Sequence, residues 1–143
     1  MAKFRILCAA AALACSATFA SAGEDTRVYV AHLLGGHELP VAGDPNAFGV
    51  ATLVITLPAQ VCYSIVLRSP VAATAAHVHA GGGGTAGGVV FALPVNAAIP
   101  NRVANCIAAP AAALTAIRNN PSQFYVNVHN VPFPGGAARG QLQ

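Results

Sequence analysis

The chain has 143 residues, 55 % of them hydrophobic and only 8 % charged, with a formal net charge of +3. That length fits one domain. So few charges, with no lysine or arginine cluster, exclude the basic face that nucleic acid requires and the polybasic segment that anionic lipid attracts.

Residues 1–22 have the three parts of a secretory signal peptide. Lys3 and Arg5 give a basic start, Ile6 to Ala20 is mostly apolar, and Ala20-Ser21-Ala22 is a small-residue cleavage pattern. The apolar run is short for a membrane span. An uncleaved anchor or a lipid-attached Cys15 is the alternative. The reading predicts an exported chain, secreted or periplasmic, whose domain occupies residues 23–143 with no transmembrane segment. Without the leader, five arginines face four carboxylates, for a charge of +1. Two cysteines remain, Cys62 and Cys106. An even, small number in an exported protein predicts a Cys62–Cys106 disulfide. Once oxidised, neither sulfur can act as a thiolate ligand or a nucleophile.

Arg27 to Leu33 reads as the first strand, with Val28, Val30 and His32 on one face and Tyr29, Ala31 and Leu33 on the other. Gly35 and Gly36 allow a bend, and Glu38 to Asn46 has loop composition. Phe48–Leu57 and Val61–Leu67 form a hairpin through Pro58-Ala59-Gln60. Thr74 to Ala80 holds the pair His77-Val78-His79, followed by Gly81 to Gly84 and a short strand at Val89–Leu93. Pro94 to Pro110 reads as irregular. Ala111 to Asn119 is the one credible helix, with Pro110 near its start and Asn119-Asn120-Pro121 ending it. Phe124–His129 and Arg139–Leu142 complete the set. Short strands between turns, with one short helix before the last strands, predict an all-β antiparallel β-sandwich of Ig-like or Greek-key type.

Residues two apart in a strand share a face. His77 and His79 therefore project together, as do Tyr125, Asn127 and His129. If these strands are neighbours, three imidazoles converge, and neutral nitrogens at about 2 Å suit Cu(II) or Zn(II). Water, His37, His32 or Glu38 could fill a fourth position. Thiolate and thioether are absent, which excludes a blue-copper site, and carboxylates are too few for a calcium cage. The alternative for the histidines is satisfaction by backbone carbonyls at the sheet edge. Tyr125 and Asn127 are either partners of a histidine or a bound water, or plain edge residues. The glycine tract lacks the lysine and helix start of a phosphate loop. It reads instead as a flexible tip where positive φ is needed. No nucleophile elbow surrounds Ser64, Ser69 or Ser122, and Glu38 with Asp44 makes a poor acid–base pair. No catalytic residue is assigned.

Three blocks of the chain resemble the CHRD domain, the chordin-type module of exported bacterial proteins. The first is Leu33, Gly35, Glu38 and Pro40, then Gly49-Val50-Ala51. The second is Ala76-His77-Val78-His79-Ala80-Gly81. The third is Tyr125 to His129, Pro134-Gly135-Gly136 and Arg139-Gly140-Gln141-Leu142. Ala137 replaces a frequent acidic residue, and Asn130 stands where the pattern has Thr. The insertion with Cys106 and the helix is extra. The resemblance implies a β-sandwich-like module in an extracellular or periplasmic setting and brings no established activity. Glu38 and Arg139 both match its positions, and an ion pair between them is expected as a structural alternative to a metal role for Glu38.

These readings make the chain an exported binding module for an unknown protein or surface partner, with Cu(II) or Zn(II) as the candidate cofactor and not an enzyme. The alternatives are a small copper/zinc oxidoreductase of superoxide-dismutase-like type, whose H-V-H strand this chain shares without its further zinc ligands, and a metal-free cell-surface or matrix interaction domain.

Overall fold

The computed structural model describes residues 25–96, 98–99 and 101–143. The expected signal peptide lies outside them. Eight antiparallel strands follow in chain order: β1 (Thr26–Leu34), β2 (Phe48–Thr56), β3 (Gln60–Arg68), β4 (Ala73–Ala80), β5 (Val89–Ala92), β6 (Arg102–Ala108), β7 (Phe124–Asn130) and β8 (Ala138–Gln141). The helix α1 spans Ala111–Asn119, between β6 and β7. The all-β expectation and the single short helix before the last strands both hold.

The strands form one continuous sheet in the order β5-β4-β7-β8-β1-β2-β3-β6. The two layers of a sandwich are here two arms of that sheet, joined where β8 meets β1. The arms close on each other through polar contacts. The Tyr63 hydroxyl on β3 donates to the carbonyl of Pro94, just beyond β5, at 2.6 Å. Asn101, before β6, accepts from the amide of Ala73 at the start of β4 and donates to the carbonyl of Ser69.

Alternation decides which residues enter the core. Tyr29, Ala31 and Leu33 of β1 are buried with Ala51, Leu53 and Ile55 of β2 and Val61, Tyr63, Ile65 and Leu67 of β3. The opposite arm contributes Val78, Val126, Val128 and Leu142 to the same cluster. Leu114 and Ile117, three apart on α1, seal one end. Burial of each large side chain is worth about 1.5–3 kcal/mol relative to exposure. Arg118 of α1 pairs with Asp25, anchoring the helix at the start of β1.

The segment Pro94–Pro110, expected to be irregular, contains β6. This strand pairs with β3 over Gln60–Val66 and sets Cys106 directly opposite Cys62, to which it is disulfide-bonded. The expected bridge therefore forms. β6 escapes its sequence pattern because it is an edge strand. Val103 is its one buried residue, while Arg102, Asn105 and Cys106 face solvent, so no alternation announces it.

Candidate metal centre

β4 and β7 are neighbours, and their register fixes where the histidines meet. His77 lies opposite Asn127 and His79 opposite Tyr125, while His129 faces Ala75. His77 and His129 are thus diagonal on one face, within reach of long side chains. Val78, Val126 and Val128 turn the other way, into the core. A register shift between Val78 and His79 in the β4–β5 pairing lies at the same place.

The three imidazoles form a compact group. His77 Nδ1 is 3.0 Å from His129 Nε2. The ring centroids of His77 lie 4.9 Å from His129 and 5.7 Å from His79, both edge to face. One donor nitrogen from each residue lies within 4.8 Å of the others. Backbone carbonyls set the tautomers. His129 Nδ1–H donates to Pro134 O and His79 Nδ1–H donates to Gly87 O, each at 2.9 Å. Both residues then carry their lone pair on Nε2. With His129 Nε2 as acceptor, His77 Nδ1–H is the donor between them. The Nε2 of His79 is buried and has no hydrogen-bond partner.

The electrostatics favour neutral rings. Burial holds the pKa of His77 below its usual value, and the neighbouring His129 and His79 push it the same way. Burial also lowers His129, only partly opposed by its bond to Pro134. Neutral imidazole is the form that ligates a metal.

Polar groups line the rest of this face under the loops. Glu38 is buried, and both its carboxylate oxygens accept from Asn127 Nδ2, at 2.7 and 2.8 Å. Burial pushes its pKa up to about 7, against the pull of Arg139, the Leu39 amide and Asn127. Asn127 Oδ1 is buried without a partner. Gly136, at φ 147°, covers the pair so closely that a side chain there would collide with Glu38. Asp44 is a second buried carboxylate, fixed by Ser69, Asn130 and the amide of Asn46.

Two expectations need correction. Glu38 and Arg139 do not form a direct ion pair. Among the described residues the ion pair is Arg118–Asp25. Arg139 instead donates to the carbonyls of Gly82 and Thr85 and lies 3.4 Å over the Tyr125 ring. The loop carbonyls take the guanidinium, and Asn127 takes the carboxylate. Nor do the fourth-ligand candidates reach the cluster. Among the described residues its members are His77, His79 and His129 alone. His37 is exposed at the end of a 3-10 turn, Glu38 belongs to Asn127, and His32 lies on the exposed face of β1, opposite Val50. Sequence reasoning also missed Gly87 and Pro134. Their contribution is a carbonyl, which any residue carries, so although Pro134 lies in the third block above, nothing in the sequence marks either carbonyl as a partner of a histidine.

The sequence profile of the CHRD domain matches residues 29–142. Neither the curated proteins nor the solved structures yield a match to the chain. The profile spans the fold from β1 to the residue after β8 and includes all three histidines, and the chain accordingly belongs to the CHRD-domain family.

Proposed function

We propose that the chain is an exported CHRD-domain binding module that takes Cu(II) or Zn(II) through His77, His79 and His129. The observation that carries this reading is the buried Nε2 of His79, which has no hydrogen-bond partner beside two other imidazole donors. A buried acceptor without a partner costs roughly 1–3 kcal/mol, and a cation would satisfy it. The partners of the rings support the reading too: His79 and His129 each donate Nδ1–H to a backbone carbonyl, the arrangement that fixes ring orientation in metal sites. Bonds of about 2 Å put tetrahedral donors about 3.3 Å apart, so donor nitrogens spread over as much as 4.8 Å need small ring rotations to close on an ion. The proton between His77 and His129 would then move to the other nitrogen of His77. Export is supported by the leader-like residues 1–22 and by the disulfide, a bond of oxidising compartments.

Titration of the purified protein with Cu(II) and Zn(II) tests this. One equivalent should bind tightly at pH 7.5, and the double variant His77→Ala/His129→Ala should lose at least a hundredfold in affinity while keeping the β-sheet circular dichroism. Binding unchanged in the double variant would refute the site. Superoxide turnover by the copper-loaded protein would shift the reading to an oxidoreductase.

A further inference from the structure

The glycine-rich loop after β4 does more than allow a turn. His79 Nδ1 is held by the carbonyl of Gly87, and the amide of that same residue donates to the Tyr125 hydroxyl at 3.1 Å. The hydroxyl also lies 3.3 Å from the Gly87 carbonyl. The Tyr125 ring is stacked on His79, with centroids 4.9 Å apart and planes 14° from parallel. Arg139 lies over the Tyr125 ring and grips the loop through Gly82 O at 3.2 Å and Thr85 O at 2.7 Å. Gln141 adds a bond to Gly81 O at 2.7 Å. The loop is thus tied at several points to β7 and β8, and its fixed end presents one carbonyl to one imidazole. Gly87 itself admits no side chain, because a Cβ there would collide with the carbonyl of Ala80. Gly83 has open space around it.

We infer that Tyr125 and Arg139 are positioning residues for the His79 ligand, acting through the carbonyl of Gly87. Tyr125 sets the ring plane by stacking and sets the peptide of Gly87 by its hydroxyl. Arg139 holds the tyrosine and the loop together. The pair determines which nitrogen of His79 carries the proton and where its lone pair points. The consequence for affinity rests on the metal-binding reading. The consequence for the imidazole does not, since it concerns the metal-free protein.

The test uses Tyr125→Phe, which keeps the stacked ring and removes only the hydroxyl, and Arg139→Lys, which keeps the charge and loses the planar fork. Gly83→Ala is the control. In the metal-free protein, long-range proton–nitrogen NMR reads the His79 tautomer. The native protein and Gly83→Ala should show the Nδ1–H form alone, and Tyr125→Phe should show a mixture of both forms. In competition titrations with a chelator, Cu(II) affinity should fall about 10–100-fold in Tyr125→Phe, the usual cost of losing such a partner, with a melting midpoint lowered by no more than about 4–8 °C before metal is added, the cost of the one hydrogen bond lost. A single Nδ1–H tautomer and native affinity in Tyr125→Phe would overturn the inference. If the native protein takes no copper, the metal reading fails by itself, and the tautomer in Tyr125→Phe still decides this one. Should Arg139→Lys fail to fold, Tyr125→Phe carries the test alone.

Discussion

The two arms of the sheet share one core but differ on their outer faces. On β1, β2 and β3 that face is bare. Val28, Leu34, Phe48, Val50 and Val66 are exposed there, and Leu34, Phe48, Val50 and Val66 line a shallow groove of about 480 Å³ with His32 and Arg68. On β4, β7 and β8 the outer face lies under loops. Tyr125, Asn127 and Arg139 are buried there although they point away from the core. Loops hide polar groups from water, so each group must find a partner or keep an unsatisfied atom. Most find one: Asn127 takes Glu38, and Arg139 takes two loop carbonyls. Satisfaction is incomplete at two atoms of this face, Asn127 Oδ1 and His79 Nε2, and His79 Nε2 is the one that sits in a group of imidazole donors. The apolar core explains why the chain folds, and the covered polar face is where chemistry can reside.

The largest effect that sharpens this contrast is on the bare arm. The Cys62–Cys106 bridge joins residues 44 apart and fastens the edge strand β6. Cys62→Ala/Cys106→Ala should lose about 2–4 kcal/mol in urea unfolding while leaving Cu(II) affinity unchanged. A matching loss of metal affinity would couple the two arms and break the contrast.

A smaller effect belongs to the covered face. Glu38 has a folded pKa of about 7 against an ordinary value of 4.5. Between these values the folded chain retains a proton that the unfolded chain has released. The contribution of Glu38 is therefore fully present below pH 4.5 and is lost as pH rises through 7. His77 and His129 act oppositely. Their lowered pKa values favour folding above about pH 6.5, a contribution lost as pH falls through the folded values. Glu38→Gln removes the first dependence. The variant should match the native protein at pH 4 and be the more stable at pH 8, as read by melting midpoints. Equal midpoints at pH 8 would show that the carboxylate is not strained by burial.

The smallest effect returns to the bare arm. Val66, 43 % exposed and pointing outward from β3, should accept Thr with a change within about 0.5 kcal/mol. A larger loss in chemical denaturation would mean that the exposed face contributes to the fold.

What the sequence revealed follows from where each residue lies. Alternation in β1, β2, β3 and β7 is strong because one face of each enters the apolar core, and strand limits fell within a residue or two of those observed. β6 was hidden because solvent meets nearly all of it. For the site, the period of two was enough to group His77 with His79. Their approach to His129 depends on β4 and β7 being neighbours, a fact of topology that no local pattern carries. The pairing of Glu38 with Asn127, and the Gly87 and Pro134 carbonyls, depend on how loops settle over the sheet. Two charged residues at family positions suggested each other, but the loop supplied nearer partners for both.

The central claim is that one ion is held by three imidazoles, and pulsed EPR of the protein with one equivalent of Cu(II) tests it most directly by counting coordinated imidazole nitrogens. The account predicts three in the native protein and two in His79→Ala. One or none, or a spectrum unaltered by His79→Ala, would contradict it.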